Sequence, residues 1–259
     1  MYTVTEFVED YNSLLPGYTL TADQELVVLT TSGPVLISAG PGSGKTETLV
    51  ARTLRLIVVD SVPPSAIVLT TFTRKAARQM LDRLSQRLAE LKIRFPEKQQ
   101  IQNSELLGIR LGTIHSLAEE FLSDIRAPNY IGRTVIEEIQ LQMLMLNTGD
   151  RNDVYCPSSH PLKSFNDTNF GKPMFGEGWV RRLNLLFNHL TEDRIDIEMF
   201  RGNPGQDALI SAYQRYRTTM DETRRLDFAL LLDLLWSEIS EGRMDEFLQS
   251  VEHVMVDEY

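Results

Sequence analysis

The sequence has a single cysteine, Cys156, among its 259 residues. One cysteine excludes an intramolecular disulfide and any cysteine-rich metal cluster. Positive charge is also scarce, because 26 lysine and arginine residues stand against 36 acidic residues and give a formal net charge of −10. This balance excludes a protein that coats nucleic acid through bulk electrostatics, although a local basic groove remains open.

Long apolar runs are absent as well. The stretch from Thr48 to Asp60 is interrupted by Arg52 and Arg55, and a membrane span needs roughly 20 apolar residues. The N-terminal stretch is acidic and lacks the basic segment and apolar segment of a signal peptide. We therefore expect a cytoplasmic protein that has no membrane partner.

Apolar runs of strand length alternate with periodic stretches along the first part of the chain. The predicted strands are 34–40, 66–72 and 107–114, and the predicted helices are 20–33, 45–59 and 74–92. Thr21, with Gln24 three positions later, is a typical helix start. The alternation predicts an α/β fold in which helices cover both faces of a parallel sheet.

Beyond about residue 125 the pattern becomes mainly helical. The predicted helices there are 135–147, 178–190, 207–222 and 227–239, and a long polar loop separates the first two. The final apolar run, VEHVMV at 251–256, has strand character again. We therefore predict an α/β domain over 1–125 and 222–259, with a helical insertion at 126–221.

The stretch AGPGSGKT at 39–46 follows a predicted strand and opens a predicted helix, which is the context of a phosphate-binding loop. Glycines at 40, 42 and 44 let the backbone N–H groups point at phosphate oxygens, and the helix N-terminus favours an anion. We expect Lys45 to reach the β- and γ-phosphates and the Thr46 hydroxyl to bind Mg²⁺. The predicted loop residues are Ala39, Gly40, Pro41, Gly42, Ser43, Gly44, Lys45 and Thr46.

An acidic pair follows the last predicted strand. Asp257 suits the orientation of Mg²⁺ and its waters, and Glu258 suits acceptance of a proton from an attacking water. Together with Lys45, these two residues form the predicted catalytic set, and Thr46 and Asp257 form the predicted metal site.

In their order, these motifs resemble the UvrD/Rep group of superfamily 1 DNA helicases. The matching stretches are LTADQ at 20–24, TTFTRKAARQM at 70–80, GTIHS at 112–116, the Asp227–Phe228 pair and VDEY at 256–259. The resemblance implies a RecA-like P-loop NTPase fold, with motor domain 1A and its helical insertion 1B. It also implies that Gln24 contacts adenine.

The resemblance further implies that single-stranded DNA passes over one edge of the sheet. The implied DNA-binding residues are Phe72, Thr73, Arg74, Thr113 and His115. Ordinary structural roles stay open for several of them, because Phe72 could be a core aromatic, His115 could cap a helix and Arg74 could face water.

The expected function is the N-terminal, ATP-binding part of an ATP-dependent DNA helicase, with ATP and Mg²⁺ as cofactors and single-stranded and duplex DNA as partners. We expect the chain by itself to be monomeric and to bind nucleotide without unwinding DNA. Two alternatives remain open: a non-catalytic ATP- or DNA-binding module, and the N-terminal part of a helicase–nuclease protein.

Overall fold

The computed structural model describes residues 2–15, 17–147 and 177–257. The predicted polar loop lies largely outside these residues. The chain divides into two compact units, of which unit 1 comprises 1–117 with 245–259 and unit 2 comprises 118–244. The domain boundaries predicted from the sequence, at 125/126 and 221/222, stay a prediction.

Short strands and longer helices make up the described chain. The helices are α1 (Val4–Leu14), α2 (Ala22–Leu29), α3 (Lys45–Val58), α4 (Arg74–Arg94), α5 (Gln99–Asn103), α6 (Ile114–Asp124), α7 (Glu138–Asn147), α8 (Glu177–Glu192), α9 (Pro204–Glu222), α10 (Phe228–Ser240) and α11 (Asp245–Ser250). The strands are β1 (Ile67–Thr70), β2 (Arg110–Gly112), β3 (Thr134–Val135), β4 (Arg225–Leu226) and β5 (His253–Val256). No helix in these residues is both long and apolar enough to cross a bilayer.

A parallel sheet in the order β2-β1-β5 forms the centre of unit 1. Leu69 of the middle strand lies opposite Leu111 on one side and Met255 on the other. Ile67 and Leu69 are fully buried, as expected for a parallel sheet covered on both faces. The predicted α/β fold with a parallel sheet is therefore confirmed.

Helix α3 is the most deeply buried helix of unit 1, since every residue from Thr48 to Val58 is buried. Helix α2 packs on it and starts with a capping box, in which the Thr21 hydroxyl accepts the Gln24 N–H and the Gln24 side chain accepts the Thr21 N–H. The predicted start of this helix is confirmed, but the helix ends at Leu29, before the expected Gly33.

Two arginines of α3 hold the C-terminal end of α2. Arg52 Nη1 donates to the carbonyl oxygens of Val27 and Thr30, and Arg55 Nη2 forms an ion pair with Asp60 at 2.9 Å. Both guanidinium groups are buried. Carbonyl oxygens take the place of water around Arg52, whereas Arg55 has the ion pair with Asp60 and a 3.4 Å contact to the Thr30 carbonyl, and its Nε has no hydrogen-bond partner.

The prediction of a strand at 34–40 is wrong, because this segment has no regular secondary structure and belongs to neither sheet. Residues 33–39 and 252–257 line one cavity of about 700 Å³, so a gap lies where a ladder to β5 would be. Leu36 is 88% exposed there. A strand needs a hydrogen-bonded neighbour, and in the described part of the chain none is supplied to this segment.

Unit 2 is mainly helical, as predicted for this part of the chain. Phe187 of α8 packs on Tyr213 and Tyr216 of α9, with ring centroids 5.5 and 5.1 Å apart. Asp227 caps α10 by accepting the Leu230 N–H at 2.9 Å, and it also accepts the Tyr216 hydroxyl. The aromatic cluster and the start of α10 are thus tied together inside unit 2.

The ion pair of Arg55 gives a test of this packing. Asp60→Asn leaves a fully buried guanidinium without its carboxylate, and we expect the free energy of unfolding to fall by about 3 kcal/mol. This is the lower end for a broken buried pair, because a third of Asp60 faces water. Urea denaturation would measure the change.

The matched control is Asp82→Asn on the exposed side of α4, which we expect to change stability by less than about 0.5 kcal/mol. Equal stability of the two variants would contradict the structural role of the Arg55–Asp60 pair.

Candidate functional site

The carboxyl ends of the three parallel strands of unit 1 meet at one edge of the sheet. The Asp257 N–H donates to the Thr70 carbonyl at 2.9 Å, and the Thr71 N–H donates to the Gly112 carbonyl at 3.0 Å. The residues that follow the strands are therefore held together by backbone hydrogen bonds. This edge is where open α/β sheets place their ligands.

The loop 39–46 requires glycine at specific positions. Gly42 and Gly44 have φ angles of 76° and 82°, which favour glycine because a Cβ would be strained there. A Cβ on Gly44 would also lie 2.6 Å from Gln24 Nε2. Gly44 is the N-cap of α3. The N–H groups of the loop therefore lie next to the N–H groups of the first turn of α3.

Lys45 is held by the loop itself. Its Nζ donates to the carbonyl oxygens of Ala39 at 2.6 Å and Gly40 at 3.3 Å. The Ser43 hydroxyl also donates to Gly40, at 2.7 Å. The ammonium group is thus positioned beside the loop, and it must release these carbonyls to reach a phosphate.

The loop and Asp257 line the same cavity, which has a volume of about 660 Å³. It is lined by residues 40–47, by Asp257 and by side chains of α4. Thr46 and Asp257 provide a hydroxyl and a carboxylate at this cavity, which are the oxygen ligands that Mg²⁺ takes in proteins. Glu258 lies outside the described residues.

The side-chain amide of Gln24 has one end on the start of α2 and the other on the loop. Oε1 accepts the Thr21 N–H at 2.8 Å, and Nε2 donates to the Ser43 carbonyl at 2.8 Å. Its predicted contact with adenine stays a prediction. What the contacts establish is that Gln24 links the start of α2 to the loop 39–46.

Five further side chains line the same cavity and were not predicted. They are Tyr18, Glu47, Arg83, Gln86 and Arg87. The spacing of 83, 86 and 87 places three of them on one side of α4. Nothing in the sequence indicates which side of α4 faces the cavity, because its polar residues occur on several sides.

The predicted DNA-binding residues lie on another part of the surface of unit 1, since none of them lines the cavity at the loop 40–46. Phe72 is 79% exposed, which excludes the role of a core aromatic. Thr73 accepts the Ala76 N–H and caps α4. Thr113 accepts the Ser116 N–H at 3.3 Å, in the same position at the start of α6.

Arg74 is exposed in the first turn of α4, and His115 is half-buried in the first turn of α6. Burial lowers the pKa of His115, so its imidazole is neutral at pH 7. A contact of this side chain with DNA would then use hydrogen bonding or stacking rather than charge.

Known proteins resemble the chain over nearly its whole length. A model of the UvrD/REP helicase N-terminal domain matches residues 20–259. The chain is 28% identical over 256 residues to DNA helicase II of Haemophilus influenzae, covering 96% of this chain and 31% of that protein. It is 30% identical over 244 residues to the ATP-dependent DNA helicase PcrA of Leuconostoc citreum, covering 91% of this chain and 28% of that protein.

A third relative, an ATP-dependent helicase/nuclease of Lactobacillus gasseri, is 32% identical over 111 residues, which are 43% of this chain and 9% of that protein. The chain thus spans about a third or less of the length of these relatives.

The half-buried imidazole of His115 predicts a pH effect on stability. Because burial lowers the folded-state pKa of His115, the unfolded chain binds a proton at a higher pH than the folded chain. Stability therefore falls as the pH drops through the ordinary value of about 6.5. Urea denaturation at pH 7.5 and 5.5 should show a smaller loss for His115→Gln than for the wild type, and equal losses would contradict the assignment.

Proposed function

The chain belongs to the UvrD/REP helicase family, and we propose that it supplies the ATP-binding part of an ATP-dependent DNA helicase that moves along single-stranded DNA and unwinds duplex DNA. One observation carries the proposal. The loop 40–46 and Asp257 are far apart in the sequence, yet they line a single cavity at the carboxyl edge of a parallel sheet.

In the proposed nucleotide complex, the loop N–H groups and the start of α3 donate to phosphate oxygens. Lys45 leaves the loop carbonyls and pairs with the β- and γ-phosphates. Thr46 and Asp257 would hold Mg²⁺, which supplies charge neutralisation for phosphoryl transfer. Glu258 is proposed to accept the proton of the attacking water.

The DNA-binding part of the proposal rests on the two helix starts that follow β1 and β2 at one edge of the sheet. Helices α4 and α6 begin directly after β1 and β2, and their N-terminal N–H groups favour phosphate. Phe72 lies between β1 and α4 with its ring in solvent, where it can stack on a base of single-stranded DNA. Arg74 adds a cation in the first turn of α4.

A backbone path joins the two proposed sites within unit 1. Asp257 lines the nucleotide cavity and is hydrogen-bonded to Thr70, at the end of β1. Phe72 is two residues further along the chain. One backbone hydrogen bond and two residues of chain thus separate Asp257 from Phe72.

Lys45→Ala tests the nucleotide site. The substitution removes a charged hydrogen-bond donor to phosphate, which contributes about 1.5–3 kcal/mol, so we expect Mg-ADP binding to weaken by at least about 10-fold. Calorimetry would measure this. Lys75→Ala, at the exposed start of α4, is the matched control and should leave the affinity unchanged. Equal affinity of wild type and Lys45→Ala would refute the nucleotide site.

Phe72→Ala tests the DNA-facing edge. Loss of one stacked base should weaken binding of a single-stranded oligonucleotide by about 1–3 kcal/mol, as measured by fluorescence anisotropy, and Phe72→Tyr should retain binding. Because the ring is exposed, we expect thermal stability and ADP affinity to stay unchanged. A variant that loses stability and both ligands together would instead indicate a structural role.

A further inference from the structure

Glu47 occupies a position from which a side chain can turn back and cap its own helix. It is the third residue of α3, and Gly44 is the N-cap of that helix. A glutamate or glutamine at this position often accepts the backbone N–H of the N-cap residue. In α1 and α2 the residue at the same position does so, with N–O distances of 2.7 Å to Glu6 and 2.8 Å to Gln24.

The carboxylate of Glu47 is held elsewhere. Its Oε1 accepts the Tyr11 hydroxyl at 2.7 Å and Arg87 Nε at 2.9 Å, and within the described chain no side chain caps α3 at Gly44. Tyr11 is fully buried, and Arg87 is fixed a second time by Glu90, which accepts its Nη1 at 2.8 Å. Two separate helices, α1 and α4, therefore set the position of Glu47.

Both partners of Glu47 keep their protons at neutral pH. Burial, and then the hydrogen bond to Glu47, raise the pKa of Tyr11, so its hydroxyl stays a donor. Burial lowers the pKa of Arg87, but the hydrogen bonds to Glu90 and Glu47 outweigh burial and raise that pKa overall. The carboxylate of Glu47 is therefore paired with a cation and with a neutral donor.

A carboxylate that capped α3 would compete with phosphate. The N–H groups at the start of α3 are those that the proposed function assigns to phosphate oxygens, and a helix start favours any anion. Glu47 lines the same cavity as the loop 40–46. Without its two partners, Glu47 would thus be a negative charge of the protein itself beside the phosphate-binding groups.

Resting on the proposed nucleotide site, we propose that Tyr11 and Arg87 are positioning residues, which hold the Glu47 carboxylate away from the start of α3 and so leave its N–H groups free for the phosphates of a nucleotide. Arg87 also neutralises the charge of Glu47. In this role both residues act through Glu47 and not through the ligand.

The test measures Mg-ADP and inorganic tripolyphosphate, which has phosphates and no base, by calorimetry on the whole chain. Arg87→Gln leaves Glu47 without its cation, and we expect both ligands to bind about fivefold or more weakly. Adding Glu47→Gln to this variant removes the competing charge and should restore both affinities to within about twofold of the wild type. A role of Arg87 as a direct phosphate ligand predicts no such restoration.

Tyr11→Phe is a second, independent variant, because it keeps the buried ring and removes only the hydroxyl that Glu47 accepts. We expect both ligands to bind about twofold or more weakly. This variant decides the question if Arg87→Gln does not fold, and unchanged affinity would then refute the inference.

The matched control for Arg87→Gln is Arg78→Gln, which removes the same charge from the exposed side of the same helix and should affect neither ligand. Because the competition is electrostatic, the difference between Arg87→Gln and the wild type should shrink as the salt concentration rises. A purely structural role of Arg87 predicts a loss of affinity that Glu47→Gln does not reverse and that salt does not reduce.

The outcomes separate the two proposals. If Lys45→Ala weakens both ligands but Arg87→Gln changes neither, the phosphate site stands and the positioning role is refuted. If Arg87→Gln weakens both ligands and Glu47→Gln does not restore them, the inference also fails. If Lys45→Ala affects neither ligand, the proposed nucleotide site itself is wrong.

Discussion

Burial of helix α3 is the constraint on which unit 1 depends. The helix starts at the phosphate loop and is buried from Thr48 to Val58, so the loop cannot move far without disturbing the core. Arg52 and Arg55 extend this constraint to α2, whose carbonyl groups they bind. Gln24, at the start of α2, then reaches the loop from the other side. The phosphate loop is therefore fixed by its helix and by a neighbouring helix.

The parallel sheet adds side chains from other parts of the sequence near the start of this helix. Strands β1, β2 and β5 end at one edge, so chemically useful residues from distant parts of the sequence arrive together after the strand ends. Asp257 lines the proposed nucleotide cavity, while Phe72 and Thr113 follow the other two strands. Threonines at 73 and 113 use their hydroxyls to cap the next helices. Capping sets where each helix starts and hence where its N–H groups point.

Both units contain ion pairs in which at least one charged side chain is largely buried. In unit 1, Arg87 is tied to Glu47 and Glu90, and Arg55 is tied to Asp60. In unit 2, Asp233 accepts ion pairs from Arg194 and Arg217. Removal of one member of such a pair leaves the other charge without a partner at a position that water solvates poorly. These pairs therefore fix orientation more than they add stability, and at Arg87 the fixed orientation faces a cavity.

The sequence by itself determined the local features of this protein. Glycine at 42 and 44, the Thr21–Gln24 capping pair and the apolar runs of β1 and β5 depend on backbone conformation and periodicity, which neighbouring residues set. Tertiary structure decided the rest. Only packing shows that the polar residues of α4 at 83, 86 and 87 face the phosphate loop, that Phe72 is in solvent, and that Arg55 is buried. The segment 34–40 has the composition of a strand but is not one, because a strand also requires a hydrogen-bonded partner, and partners are supplied by distant parts of a chain.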